Sequence, residues 1–129
     1  MGAAKTQRPA GKVKSQCVRV KVICFGTTRA GKTALLKRYR DDSFSHKTEE
    51  TTGVEHYVKG VQLGNLQVKV NIWELAGADE YLNIRNEFYK DAQGAVLVYD
   101  STNRESFEAL DKWRDEAIQY GGRDSIMIV

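Results

Sequence analysis

The sequence contains little proline and cysteine and no long apolar run. One of its 129 residues is proline and 41% are hydrophobic, so it does not resemble a disordered, proline-rich chain. No window approaches 18 uninterrupted apolar residues, and no apolar segment follows the basic N-terminus. We therefore expect neither a transmembrane helix nor a secretory signal. Cys17 and Cys24 lie seven residues apart on one predicted strand, where they cannot bond, which predicts reduced thiols in a cytoplasmic protein.

Acidic residues are absent from residues 1–40, which contain eleven Lys or Arg. Residues 41–129 contain nine basic and seventeen acidic residues, so the two parts carry +11 and −8. This asymmetry predicts that the N-terminal part meets an anion, either a phosphate ligand, a membrane surface or a nucleic acid. A nucleic acid is the weakest of the three, because the basic N-terminus has no aromatic residue to stack on bases.

Residues 1–16 show no hydrophobic period and are predicted to form a mobile basic tail, with the domain beginning near Cys17. Their first six residues fit the N-myristoylation pattern M-G-x-x-x-[ST], which marks Gly2. One acyl chain binds membranes weakly, so basic side chains would supply the second signal. The basic side chains of the tail are Lys5, Arg8, Lys12 and Lys14. We expect a peripheral membrane contact, with a solvated tail as the alternative.

Strands and helices alternate along the rest of the chain. Apolar runs predict strands at residues 18–25 and 95–99, and a hairpin of residues 54–63 and 66–73 turns at Gly64 and Asn65. A short helix is predicted at residues 31–40, and residues 126–129 have strand character. This order predicts an α/β fold, a doubly wound and mostly parallel sheet.

Helical periodicity predicts two further helices. In residues 80–90, Tyr81, Ile84 and Phe88 recur on one side. Thr102 and Glu105 fit a capping box that opens the second helix. The apolar stripe behind that box consists of Phe107, Leu110, Trp113 and Ala117.

One glycine-rich loop carries the strongest signal. It fits G-x-x-x-x-G-K-[ST], with a predicted strand before it and a helix after it. Such a loop directs backbone N–H groups at phosphate oxygens, while Lys32 would reach the β- and γ-phosphates and Thr33 would ligate Mg²⁺. A chance glycine turn is the alternative, and the motif does not choose between ATP and GTP. The loop residues are Gly26, Thr27, Thr28, Arg29, Ala30, Gly31, Lys32 and Thr33.

Later motifs follow this loop in order. Phe44, the T-T-G-V-E of residues 51–55 and the W-E-L-A-G of residues 73–77 resemble the motifs of Ras-superfamily small GTPases. The T-x-G-V-E form is similar to the Rab branch. Residues 68–73 and 85–100 most resemble Rab-like GTPases that carry a C-terminal J domain. The resemblance covers residues 17–129 and implies a P-loop NTPase fold that binds GTP or GDP with Mg²⁺.

The resemblance also implies roles for single residues. Thr51 would bond Mg²⁺ and the γ-phosphate as the threonine of switch I, and Phe44 would pack edge-on against the guanine. Gly77 would offer its N–H to the γ-phosphate, and residues 41–57 and 77–90 would contact effectors and regulators. A plain loop threonine and an ordinary hydrophobic anchor are the alternatives for Thr51 and Phe44. Trp73 is interpreted as a packing residue.

Three departures from the family motifs bear on catalysis. Ala78 stands where the family places the glutamine that orients the attacking water, so no catalytic residue is assigned. Glu74 replaces an aspartate that holds a magnesium-bound water, and we expect it to act through water as well. Thr28 stands at a loop position that is glycine in Ras itself, where a side chain would crowd the γ-phosphate. These departures predict slow or negligible GTP hydrolysis.

The given sequence stops before the family's guanine-specificity motif N-K-x-D, which would follow the strand beginning near Ile126. We therefore expect residues 17–129 to represent the first two-thirds of such a domain, with a sheet incomplete at its C-terminus. A natural isoform and a fragment both fit this expectation.

Three functions remain open at this level. The first is a Rab-like GTP-binding switch in vesicle traffic or signalling. The second is a pseudo-GTPase or decoy that presents a switch-like surface to Rab or Ras partners without cycling nucleotide. The third is an ATP-using P-loop enzyme, which the lack of any substrate-binding motif disfavours.

Overall fold

The computed structural model describes residues 16–46, 50–122 and 127–128. Helices cover both faces of one sheet, and a 3₁₀ turn at Asp79–Tyr81 precedes the second helix. The elements are β1 (Gln16–Gly26), α1 (Lys32–Asp41), β2 (Val54–Leu63), β3 (Leu66–Leu75), α2 (Leu82–Arg85), β4 (Gly94–Val98), α3 (Arg104–Glu108), α4 (Leu110–Gln119) and β5 (Met127–Ile128).

The five strands lie in the order β2-β3-β1-β4-β5. All neighbouring pairs are parallel except the β2–β3 hairpin, which is antiparallel. The carboxyl ends of β1, β3 and β4 therefore share one edge of the sheet, where α/β proteins of this kind place their ligands. The phosphate loop after β1 and Gly77 after β3 both lie at this edge. The predicted α/β class, with a mostly parallel sheet, is confirmed.

Alternation along β1 divides the core between the two faces of the sheet. Cys24 packs with Leu36 of α1 and with Tyr57 and Ile72 of the hairpin. On the other face, Phe25 makes edge-to-face contacts with two buried rings. The buried residues of this second face are Ile23, Phe25, Leu75, Tyr89, Ala92, Ala95, Leu97, Trp113 and Ala117. A sheet covered on both faces accounts for the nearly continuous apolar strands β1 and β4.

The helix predicted at residues 80–90 is wrong in length, and only part of its predicted apolar side, including Phe88, packs against the core. Only the 3₁₀ turn and α2 form, and residues 86–91 continue as turns. The buried side chains here are Arg85 and Tyr89, whereas Ile84 is 47% exposed. Tyr89 is drawn into the second core beneath Phe25, so tertiary packing overrides the helical period read from the apolar residues.

The predicted capping box at Thr102 is also wrong. Asn103 is the N-cap of α3, and its side chain accepts bonds from the backbone N–H groups of Glu105 and Ser106. The Thr102 hydroxyl donates instead to Asp100 Oδ1 at 2.7 Å. The predicted helix is divided at Ala109, and Phe107 of its apolar stripe is 51% exposed.

Several predictions concern residues outside those described. They include Gly2, the tail bases Lys5, Arg8, Lys12 and Lys14, and the start of the last strand at Ile126. β1 begins at Gln16, one residue before the predicted domain start. Both cysteines are free, as predicted. No helix in the described ranges is long and apolar enough to cross a membrane.

Candidate nucleotide-binding site

The phosphate loop connects the buried end of β1 to the N-terminus of α1. Gly31 caps that helix with φ of 102°, a left-handed conformation that favours glycine. Ala30 N–H donates to Thr27 O at 3.1 Å and closes a turn within the loop. The motif predicted from sequence therefore adopts the strand–loop–helix arrangement that directs the α1 N-terminus towards an anion.

Lys32 reaches back across the loop. Its ammonium donates to the carbonyls of Gly26 and Thr27, each at 2.9 Å. The residue is 5% exposed, and burial lowers its pKa from the usual lysine value. A buried ammonium held only by neutral carbonyls is not neutralised by them, so its charge remains to attract an anion.

Three oxygen-bearing side chains from different segments meet beside the loop. Glu74 Oε2 accepts from the hydroxyls of Thr33 at 2.5 Å and Thr51 at 2.7 Å. The two hydroxyl oxygens lie 3.0 Å apart. Tyr57 donates to the other carboxylate oxygen, Oε1, at 2.9 Å. Carboxylate and hydroxyl oxygens are the ligand type that Mg²⁺ takes, so this donor set fits that ion.

Gly77 completes the wall of the site through its lack of a side chain. A Cβ built on it would lie 2.6 Å from Gly26 O and 2.7 Å from Thr28 N. No other residue type fits there without moving the backbone, so glycine keeps the chain after β3 against the phosphate loop.

These residues surround a cavity of about 110 Å³. Seven of the eleven predicted nucleotide-binding residues line it, together with Glu74 and two residues that were not predicted, Ala34 and Glu50. The full lining is Thr28, Arg29, Gly31, Lys32, Thr33, Ala34, Glu50, Thr51, Glu74 and Gly77.

Comparison with known proteins decides the family. The sequence matches the Ras family over residues 21–129. The chain belongs to the Ras family.

Three relatives carry the name DnaJ homolog subfamily C member 27. The Mus musculus protein is 40% identical over 129 residues, covering 97% of this chain and 47% of the relative. The Danio rerio protein is 44% identical over 110 residues, covering 85% and 40%. The Homo sapiens protein is 38% identical over 125 residues, covering 94% and 46%. The chain spans about half the length of these relatives, and the predicted similarity to GTPases with a J domain is confirmed.

Four predicted nucleotide contacts lie outside the cavity lining of this Ras-family domain. Gly26 and Thr27 support Lys32 from behind through their carbonyls. Ala30 lies at the loop turn. Phe44 is 55% exposed, and its ring meets His46 edge-on at 4.9 Å. The proposed contact of Phe44 with guanine stays a prediction.

A second buried network was missed by the sequence reasoning. Arg85 is 3% exposed and donates to Glu116 through Nε at 2.7 Å and a terminal nitrogen at 3.0 Å. Its other terminal nitrogen donates to Ala76 O at 3.1 Å and Ala78 O at 2.7 Å. The guanidinium also lies over the Trp113 ring. Arg85 therefore ties the backbone on either side of Gly77 to α4.

In this network the basic Arg85 and the acidic Glu116 each stabilise the charged form of the other. Burial alone would raise the pKa of Glu116, but hydrogen bonds from Arg85 and Tyr89 outweigh it and lower the pKa. Burial likewise opposes the charge of Arg85, and the bonded Glu116 carboxylate raises its pKa. Trp113 Nε1 donates to Thr27 Oγ1 at 3.2 Å, which links α4 to the phosphate loop. No spacing of charged residues signals this pairing, because its partners lie 31 residues apart.

Other side chains near the site have defined surroundings. Trp73 is a packing residue, stacked on His56 with ring centroids 4.0 Å apart and tilted against Phe88 at 5.3 Å. Burial and the Glu74 charge raise the pKa of Cys24 to about 12, so this thiol is not a nucleophile. Over the described ranges, no group of three or more His, Cys, Asp or Glu side chains is placed to hold a metal ion.

Proposed function

We propose that this Ras-family domain binds GTP and GDP with Mg²⁺ and works as a Rab-like switch in vesicle traffic or signalling, with slow hydrolysis. The observation that carries the proposal is the convergence of Lys32, Thr33, Thr51, Glu74 and Gly77 on one cavity at the N-terminus of α1. Family membership supports guanine-nucleotide binding in general.

Each residue has a defined part in such binding. Lys32 would exchange its carbonyl partners for phosphate oxygens, which brings its buried positive charge against the phosphates. Thr33 and Thr51 would turn their hydroxyl oxygens towards Mg²⁺, which when bound neutralises phosphate charge. Gly77 would present its backbone N–H at the same wall. Since Thr51 and Gly77 belong to separate segments, one ligand would order both, and its hydrolysis would release them.

Slow hydrolysis follows from the side chains beside Gly77. Ala78 cannot hydrogen-bond through its side chain, and its backbone carbonyl is engaged by Arg85. Thr28 adds a side chain whose Oγ1 would lie 3.0 Å from a Cβ at Gly77. Residue 78 therefore offers no side-chain group that could position an attacking water.

The binding proposal is tested with Lys32→Ala and a fluorescent GDP analogue. We expect affinity to fall by at least about a hundredfold, because a charge-assisted phosphate contact is lost at a buried site. Lys69→Ala, which removes an exposed lysine of β3, is the matched control and should bind like the parent chain. Unchanged binding by Lys32→Ala would refute the proposal.

The hydrolysis proposal is tested by Ala78→Gln under single-turnover conditions. Restoring an amide that positions water should raise the rate by about tenfold or more without changing GDP affinity. A fast parent enzyme, or no gain in the variant, would contradict the assigned cause of slow turnover.

A second candidate is a pseudo-GTPase that binds Rab or Ras partners without cycling. The Arg85 contacts to Ala76 and Ala78 favour it, because they hold the backbone after β3 through bonds within the chain. Pull-down of partner proteins that does not respond to GTP against GDP would support this candidate, and a nucleotide-dependent response would support the switch.

We also propose that the domain works in the cytoplasm and reaches membrane surfaces through myristoylated Gly2 and the basic tail. Gly2→Ala should abolish acylation and reduce sedimentation with anionic vesicles, as measured after expression with an N-myristoyltransferase. Equal sedimentation of both proteins would exclude this route.

A further inference from the structure

The Glu74 carboxylate is the most buried charged group of the site, with the residue 1% exposed. All the described hydrogen-bond donors to it are hydroxyls, those of Thr33, Thr51 and Tyr57. None of the ion pairs found among the described residues includes Glu74. Lys32 lies near enough for its charge to interact with Glu74, but its ammonium donates hydrogen bonds to the carbonyls of Gly26 and Thr27. Among the described residues, no cationic side chain therefore forms an ion pair with this buried carboxylate.

The spacing of the oxygens indicates where that cation would sit. Glu74 Oε2, Thr33 Oγ1 and Thr51 Oγ1 form a triangle with edges of 2.5, 2.7 and 3.0 Å. In octahedral Mg²⁺ with oxygen ligands at 2.0–2.1 Å, adjacent ligands lie roughly 2.9 Å apart. The edges of 2.7 and 3.0 Å lie near this spacing and the 2.5 Å edge is shorter, so the three oxygens would occupy one face of such an octahedron after a small separation.

We propose that Glu74 ligates the divalent cation directly through Oε2, in place of one water. This proposal rests on the proposed nucleotide-dependent Mg²⁺ binding and replaces the expectation that Glu74 acts through a bridging water. The extra methylene of glutamate, relative to the family's aspartate, extends the carboxylate towards the two hydroxyls. Tyr57 donates to Oε1 at 2.9 Å, so Oε2, which faces both threonine hydroxyls, is the oxygen placed to ligate the cation.

Direct ligation predicts a countable difference in metal hydration. Mn²⁺ is substituted for Mg²⁺ in the GDP complex of the full 129-residue chain, and the broadening of its electron paramagnetic resonance lines in ¹⁷O-water counts the bound waters. We expect one water fewer in the parent chain than in Glu74→Asp, whose shorter side chain restores the bridging water. Equal counts would overturn the proposal. Failure of the parent chain to retain Mn²⁺ and GDP would instead overturn the proposed function.

A second measurement needs no change at Glu74 and so does not depend on that variant folding. The chain is labelled with glutamate carrying ¹³C in its side-chain carboxylate, and electron–nuclear double resonance is recorded on bound Mn²⁺. Direct ligation predicts a strong ¹³C coupling from one carboxylate. Because Glu50 also lines the cavity, the coupling is measured again in Glu50→Gln. Persistence of the coupling supports Glu74, and its absence from the parent chain or loss in Glu50→Gln overturns the assignment.

Discussion

Two acidic side chains, the buried Glu74 and the half-buried Glu116, lie on either side of the segment that contains Gly77, and their surroundings differ. Glu116 faces the Arg85 guanidinium through two hydrogen bonds of 2.7 and 3.0 Å. Glu74 faces three neutral hydroxyls and forms no ion pair among the described residues. The Glu116 carboxylate is paired within the chain, whereas none of the ion pairs among the described residues includes Glu74. This difference separates a structural ion pair from a binding site.

The comparison predicts that removing Glu116 damages the fold itself. Glu116→Ala leaves the Arg85 guanidinium buried without its carboxylate, and we expect the free energy of unfolding to fall by about 3 kcal/mol. Urea denaturation of the nucleotide-free chain measures this loss. The control is Glu108→Ala, which removes the exposed i,i+4 pair with Arg104 and should cost less than about 0.5 kcal/mol. Equal losses of unfolding free energy in the two variants would show that the Glu116–Arg85 pair stabilises the fold no more than an exposed ion pair does.

A methyl group at Gly77 tests the close approach of this residue to the phosphate loop, at the segment between Glu74 and Glu116. Gly77→Ala forces the backbone away from Gly26 O and Thr28 N, and we expect a loss of about 2 kcal/mol in stability with weaker GDP binding. Gly60→Ala is the matched control, because a Cβ there meets nothing within 4 Å. Tight GDP binding by Gly77→Ala would show that this close approach is not needed.

Acid titration gives the smallest expected effect. Because Arg85 and Tyr89 hold the pKa of Glu116 below its ordinary 4.5, its contribution to stability is complete above that pH. The contribution is lost as the pH falls below 4.5 through the lowered pKa. Glu116→Gln should therefore lose less stability than the parent chain between pH 5 and pH 3, as followed by thermal unfolding. Parallel pH profiles would contradict the assigned pairing.

Local sequence signals predicted the Glu74 side of the comparison well. The phosphate loop, its flanking strand and helix, and the hairpin that leads to Glu74 depend on neighbouring residues and turn chemistry. The position of Thr51 beside Thr33 followed only from the family resemblance. The additional lining residue Glu50 has no motif of its own and was missed, although it directly precedes Thr51.

The Glu116 side could not be predicted in the same way. Apolar periodicity favoured Ile84 and Phe88 as the buried face, whereas burial of Arg85 and Tyr89 depends on a carboxylate 31 and 27 residues further along the chain. A charged residue inside a core is stable only when its partner is present, and a local pattern carries no information about that partner. The same packing of Arg85 and Tyr89 explains why the helix predicted at residues 80–90 is shorter in the structure.

We expect the Glu74 site to receive a guanine nucleotide with its divalent cation. The most direct test is to purify the chain in Mg²⁺, extract any bound nucleotide and identify it by chromatography. The parent chain should carry GDP or GTP at about one per chain, and Lys32→Ala should lose it. A folded chain that carries no nucleotide and binds none when GDP and Mg²⁺ are added, or that carries an adenine nucleotide, would contradict it.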